Sequence, residues 1–398
     1  MTVIDLHILQ AYPPSLLNRD DTGQPKTAVF GGVVRTRVSS QSLRRAQRVY
    51  AAENGLIPDV NLARRTRHLP MKLAERLVAR HGFEKDAAFA LALNTVWGMG
   101  LLDTSDPEMR TRALLFLSQG EIERIASGIA ARGAQLLGFA VPPDALGVGR
   151  VADERGPRET DAVTVNCPST FRELGAAMLD ELDATEAVDV ALHGRFQAAS
   201  RRMGVEGACA TAHAFSVGEH HVELDQCTIA DDTAGWGPEF LSTATLTAPV
   251  LYRYSNLDIR LLGNNLGGDR KLLELAASAW LTAELHAVPR AKRSSTAPAT
   301  RPLLAMAVAR DDQALSLANA FLRPVRPTLD LDEGQAAVDA ICRHWAHMDA
   351  AYGHHGVRWC CFLYAEDGAS VPLEMPGRQV NALELTSLAA HAAAEVGA

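Results

Sequence analysis

Apolar and polar positions alternate at the start of the chain. Ile4, Leu6 and Ile8 share one phase, and Val3, Asp5, His7 and Leu9 the other, which predicts a strand over residues 3–11. A loop rich in Pro, Gly and Asp follows, then a short strand, VVRTRV. The next run, SSQSLRRAQRVYAAENG, has a helical period, with Leu43, Ala46, Tyr50 and Ala51 as its apolar stripe. Ser39 or Ser40 is the expected N-cap and Asn54-Gly55 the stop.

From about 60 to 185 Ala and Leu dominate at helical spacing, and this stretch reads as a helical insertion. Strand patterns then return in AVDVALHGRF, in the longer EGACATAHAFSVGEHHVELDQ and in TAPVLYRYSNLDIRLL. The segment between the last two is too long for a tight turn and suggests an extended hairpin. Helix (DRKLLELAASAWLTAELHAV), strand (RPLLAMAVA), helix (DEGQAAVDAICRHWAHMDAAYG), strand (GVRWCCFLYA) and helix (ALELTSLAAHAAAEV) close the chain. Without the insertion, this order favours an α+β domain with helices on one face of a mostly antiparallel sheet.

Composition narrows the class. The 398 residues are 47% hydrophobic and 22% charged, ordinary for a globular protein. No apolar run approaches the ~20 residues of a membrane span. The start, MTVIDLHILQAY, has neither a basic n-region nor a cleavage site, so it reads as mature structure. Six scattered cysteines without a CxxC pair suggest reduced thiols in a cytoplasm.

Charge changes the picture. The chain has a formal net charge of −8, yet residues 1–67 hold ten Lys/Arg against five Asp/Glu, leaving −13 for the rest. Within this region Arg35 to Arg48 contains five arginines, three serines and no acidic residue. The start of a helix offers free N–H groups and partial positive charge. Ser39, Ser40, Ser42 and Gln41 add donors, and Arg44, Arg45 and Arg48 add charge and forked geometry. Arg35 and Arg37 come off the preceding strand. This is a phosphate site whose extent suits several phosphates along a strand. The alternative, an arginine-rich solvated helix, lacks local acidic partners. Two further basic segments point the same way. PRAKRSSTAP holds Arg290, Lys292, Arg293, Ser294, Ser295 and Thr296. HGRFQAASRRMG interleaves Arg195, Arg201 and Arg202 with Phe196 and Met203, a mixture suited to single-stranded nucleic acid.

Common catalytic signatures are missing: no GxxxxGK[ST], GxSxG or HExxH is present. His344 and His347, at i and i+3, and the pair His220 and His221 have no completing ligand at a familiar spacing, so they read as ordinary core or surface histidines. Asp20 and Asp21 raise the question of a metal-dependent site. Flanked by Arg19 and Lys26, they read better as a self-ordering loop. The residues call for no metal and no cofactor.

The stretch PPSLLNRDDTGQPKTAVFGGVVRTRVSSQSLRRAQR resembles the CasC family, the repeated backbone subunit of the type I-E CRISPR Cascade complex. VDVALHGRFQAAS, VEGACATAHAFSV, LYRYSNLDI and SLANAF support the resemblance, which is strongest over 12–48 and 188–260. It implies an α+β protein with an RRM-like (ferredoxin-like) palm formed by 1–59, 186–216 and 246–398. Helical fingers would occupy 60–185, and a β-hairpin thumb 217–245. It implies copies stacked along the spacer of a crRNA, each thumb kinking the RNA so that short base segments pair with the target DNA strand. Other Cascade subunits would be partners, and cleavage would fall to a separate nuclease. Carried over by position, Arg19, Lys26, Ser39, Gln41, Arg44, Arg45 and Arg48 would hold phosphates. Phe196 would help wedge the kinked base, and Lys292 and the serines after it would line the RNA groove. Val33 stands where relatives are often basic, and the RRM aromatic motif is absent. Two other readings stay open: an RNA endonuclease using Asp20 and Asp21, as related type III subunits use a loop aspartate, and a structural oligomer without direct RNA contact.

Overall fold

The computed structural model describes residues 2–146, 152–153, 156–157, 166–180, 182, 185–195, 203–230, 238–353, 356–365 and 375–396. The chain divides into two compact units. One comprises Met1–Leu56, Cys209–Leu262 and Leu273–Ala398, and the other Ile57–Ala208 and Gly263–Leu272.

The strands of the first unit are β1 (Val3–Ala11), β2 (Thr27–Phe30), β3 (Val33–Val38), β4 (Cys209–Thr211), β5 (Ala214–Ser216), β6 (Glu223–Ala230), β7 (Pro238–Leu246), β8 (Val250–Asp258), β9 (Leu304–Arg310), β10 (Val357–Tyr364) and β11 (Arg378–Gln379). Nine of them make one sheet in the order β11-β10-β9-β1-β8-β5-β3-β2, with β4 also on β8. Pairing is antiparallel except between β10 and β11. Among the described residues, β6 and β7 pair only with each other, as an antiparallel hairpin. Its helices include α1 (Ser40–Glu53), α2 (Arg270–His286, in this unit from Leu273), α3 (Glu333–Tyr352) and α4 (Ala382–Val396).

Helices cover both faces of the sheet, where the sequence pattern suggested one. On one side Tyr252, Leu9, Met306 and Val308 pack with Ala337, Val338 and Ile341 of α3. On the other, Arg253 reaches Glu284 of α2, and Leu251 packs with Leu43 of α1. Central β1 is therefore buried in both phases from Val3 to Gln10. Its polar residues survive burial because each finds a partner. Arg310 pairs with Asp5 at 2.7 Å, and Tyr254 donates to Asp5 at 2.7 Å. Tyr252 lies 2.9 Å from His7 Nδ1, and Arg253 donates to Gln10 at 2.7 Å.

The second unit is mostly helical. Helices Leu69–His81, Lys85–Gly98, Gln119–Leu136 and Ser169–Asp180 enclose a core that includes Leu73, Leu91, Ile125 and Phe171. Ser118 and Glu121 form a reciprocal capping box at the start of Gln119–Leu136. Gly98 and Gly175 let two helices touch backbone to backbone: a Cβ on Gly98 would overlap the Phe171 carbonyl, and one on Gly175 would overlap Gly98. Strands Arg64–Thr66 and Leu115–Leu117 pair beside them.

Two local expectations fail. Val188–His193 is a helix, not a strand. Val188 through Leu192 are all buried, including Asp189, which accepts the Ala63 N–H at 3.0 Å. A short apolar run buried all round carries no period to separate helix from strand. Among the described residues, 186–195 and 203–208 group with the second unit. The long strand expected over 206–226 is instead β4, β5 and the start of β6. No described helix is long and apolar enough to cross a membrane.

Candidate nucleic-acid interface

The interface is built where β3 runs into α1. Ser39 keeps extended backbone (φ −68°, ψ 145°), and its side chain accepts the Ser42 N–H at 3.4 Å. The Ser39 N–H donates to Asn18 Oδ1 at 2.9 Å, and the Ser40 N–H to His213 Nδ1 at 3.0 Å. Leu43 anchors the helix among Tyr12, Leu17, Val38, Ala214 and Leu251. Its burial is worth roughly 2 kcal/mol. Leu43 and Ala46 face inward as expected, whereas Gln41 and Arg45, one turn apart, are exposed. Arg44 and Arg48 form a half-buried ridge, Arg44 donating to the Cys209 carbonyl at 3.1 Å.

The loop before β2 brings more charge to this end. Asp20 Oδ1 accepts from the Thr22 N–H (2.9 Å), the Thr22 hydroxyl (2.8 Å) and the Gln24 N–H (2.9 Å). These bonds, the Thr22 hydroxyl foremost, hold its carboxyl below the ordinary range. Asp20 thus orders the turn carrying exposed Arg19, while Lys26 is tied through its backbone to Asn18 and Arg37. Arg37 donates to the Thr27 carbonyl at 3.2 Å and lies 3.4 Å from His213 Nδ1. Partial burial, then the charges of Arg37 and Lys26, push the His213 pKa down. His213 was missed from sequence: a lone histidine in TAHAFS carries no pattern.

The opposite end of α1 meets the second basic segment. Arg290 forms a two-pronged ion pair with Glu53, and Tyr50 stacks on His286 with ring centres 6.0 Å apart. Lys292 has left-handed backbone (φ +52°) and opens the short turn Arg293–Thr296. Lys292, Arg293, Ser294 and Ser295 are all exposed. α1, ~21 Å long at 1.5 Å per residue, therefore carries basic groups along its length and at both ends.

Three residues assigned to this face lie elsewhere, in the interior. Arg35 is fully buried and donates to four carbonyls, those of Ser216 (3.0 Å), Val217 (2.5 Å), Gly218 (3.1 Å) and Phe321 (2.9 Å). Arg195 pairs with Glu121 at 2.9 Å, both side chains essentially inaccessible, and donates to the Met203 and Phe116 carbonyls. Met203 is buried in the helical core. None of the three is available to a phosphate. Phe196, Arg201 and Arg202 lie outside the described residues. Among the described residues no cluster of three or more His, Cys, Asp or Glu is arranged to hold a metal.

A mixed α/β protein with a large antiparallel sheet, a basic surface helix and a separate hairpin is the class these features define. The chain belongs to the CT1975-like protein family, which matches residues 4–386. It is similar to a chain of a "CRISPR RNA-guided surveillance complex, pre-nicking", at 28% identity and a TM-score of 0.72, over 98% of this chain and 100% of that one. A chain of a second "CRISPR RNA-guided surveillance complex", at 24% identity and a TM-score of 0.64 over 98% and 99%, shares the fold. No curated protein matches.

Proposed function

We propose that this chain is a non-catalytic backbone subunit of a CRISPR effector complex, of the CasC type found in type I-E Cascade. It binds the spacer part of a crRNA and presents it for pairing with the target DNA strand. The observation that carries this reading is the basic outer surface of α1, with Gln41 and Arg45 exposed, half-buried Lys26 and Arg37 at one end, and exposed Lys292 and Arg293 at the other. Such a surface binds phosphates along a strand without reading bases. The likeness to chains of RNA-guided surveillance complexes supports crRNA and other complex subunits as partners. In this reading the sheet unit is the RRM-like palm, the helical unit the fingers and β6–β7 the thumb. Further copies stack along the RNA in the cytoplasm, with no membrane contact. Asp20 is engaged in its own loop, which favours binding over cleavage.

The test is to purify the chain from cells carrying its CRISPR array and sequence the nucleic acid that accompanies it. Discrete RNAs with a repeat-derived end and a spacer are expected. Protein free of RNA even when purified with its partner subunits would overturn the reading.

A further inference from the structure

The geometry points to Arg35 as a positioning residue that fixes where the β6–β7 hairpin leaves the sheet relative to α1. The inference rests on the reading of α1 and the hairpin as the RNA-handling parts of the chain. Arg35 does not touch RNA in this proposal, because it is fully buried.

Three of its four acceptors are the consecutive carbonyls of Ser216, Val217 and Gly218. β5 ends at Ser216 and β6 begins at Glu223, so these residues are the root of the hairpin. Aiming three successive carbonyls at one buried cation forces the chain out of its extended path there. The fourth acceptor, Phe321, ties the root to the turn Ala318–Phe321. The neighbours of Arg35 make the same connection. The Thr36 N–H donates to Ser216 Oγ at 3.0 Å, and Ser216 Oγ donates to the Gly218 carbonyl at 2.8 Å. The His220 N–H donates to the Val34 carbonyl at 2.9 Å, and Thr36 Oγ1 lies 2.7 Å from His220 Nδ1. From the far side Glu333 closes on Gly218, where an added Cβ would overlap its carboxylate.

β3 therefore holds the hairpin root through Val34, Arg35 and Thr36, and one residue past its end Ser39 caps α1. One strand sets both the helix and the hairpin. Nη1 faces the three root carbonyls and Nη2 the Phe321 carbonyl, so the planar fork ties the root to that turn, a span that a lysine ammonium, with its charge on one atom, does not cover.

The experiment compares wild type with Arg35→Lys, Thr36→Val and Gly218→Ala, each assembled with its partner subunits and crRNA. Nuclease footprinting along the spacer and crRNA retained per complex are the first readouts. Regularly repeating protection is expected for wild type. Arg35→Lys is expected to keep retention within about twofold while the repeat blurs, and the two milder variants to blur it less. The second readout needs no RNA. Spin labels carried by unnatural amino acids at Gln41 and Leu224 report the α1-to-hairpin distance. A single narrow distance is expected in wild type and a broadened one in Arg35→Lys. An unchanged footprint and distance in Arg35→Lys overturns the inference. So does retention falling as it does for an exposed arginine variant, since Arg35 would then be a phosphate contact. If Arg35→Lys does not fold, Thr36→Val and Gly218→Ala decide by the same readouts. Wild type without RNA would sink the proposed function alone, and the distance measurement would still judge Arg35.

Discussion

Ser40 gives its backbone N–H to Nδ1 of His213 at 3.0 Å, so a neutral imidazole sits over the first turn of the basic helix. Nδ1 accepts there only while unprotonated. Burial and the charges of Arg37 and Lys26 keep the His213 pKa below its ordinary 6.5. The folded pKa being depressed, the bond's contribution to stability is complete above pH 6.5 and lost as pH falls through the folded value. Protonation adds a positive charge and frees the Ser40 N–H, both favouring phosphate. RNA affinity at fixed salt is therefore expected to be higher at a pH below the depressed folded value than at pH 7.5. His213→Gln should flatten that rise, as binding titrations at the two pH values will show.

Arg45 is exposed on the outer ridge of α1. Its replacement by Ala is expected to lower the slope of log affinity against log salt by about 0.7, the loss of one phosphate on a single strand. Thermal stability should stay within about 0.5 kcal/mol of wild type, because nothing buried changes. Lys292→Ala should behave alike, and salt titrations with denaturation curves check both. A slope unchanged in both variants would remove the α1 face from the interface.

Much of the fold was legible because the decisive signals are local. β1, α1, α3 and β10 appear where period and caps place them, and Ser39 and Asn54 cap α1 as read. Failures share a cause: the deciding partner is remote. Arg35 looks like Arg37 in VVRTRV, yet its acceptors lie 181 to 286 residues away. Nothing in the run from Val188 to Leu192 announces that every side is buried. The clustering of basic residues on and around α1 was readable from its charge. The inward arginines were not, since a basic residue bonded to remote carbonyls has no sequence signature.

Asp20 offers a test between binding and cleavage. Asn can keep the three bonds its Oδ1 accepts, so Asp20→Asn should retain RNA affinity within about twofold, whereas Asp20→Ala should weaken it by loosening the loop carrying Arg19. Target RNA incubated with the wild-type complex and Mg²⁺ is expected to stay intact. An EDTA-sensitive product lost in the Asp20→Asn, Asp21→Asn double variant would favour the endonuclease reading instead.

His7 sets an acid limit on the sheet. It is fully buried beside Tyr252, and desolvation, with the Arg310 charge adding, lowers its pKa from 6.5 to about 3. A depressed folded pKa means stability complete above pH 6.5 and lost as pH falls toward 3. The loss by pH 4 is on the order of 3 kcal/mol. Asp5, raised chiefly by burial, acts in the opposite sense, so the comparison must isolate His7. Urea unfolding at pH 7 and pH 4 should show a smaller difference for His7→Gln than for wild type.

Arg195 separates the charge pattern from the structure most sharply. The sequence places it in a basic, aromatic run suited to RNA. In the fold it pairs with Glu121 at 2.9 Å, with 1% and 0% of the two side chains exposed. Glu121 also accepts the Ser118 N–H at 2.7 Å, so the pair is joined to the cap of the helix Gln119–Leu136. Removing one partner strands the other charge in the core, which typically costs about 3–5 kcal/mol. Arg195→Ala is thus expected to destabilise the helical unit strongly, with the salt slope of RNA binding unchanged for the protein that remains folded. Replacing both partners, Arg195→Met with Glu121→Gln, should recover part of the loss, because no charge is then left unpaired. A double-mutant cycle by chemical denaturation, run beside the salt titration, measures both effects. A lowered slope at unchanged stability would return Arg195 to the RNA face.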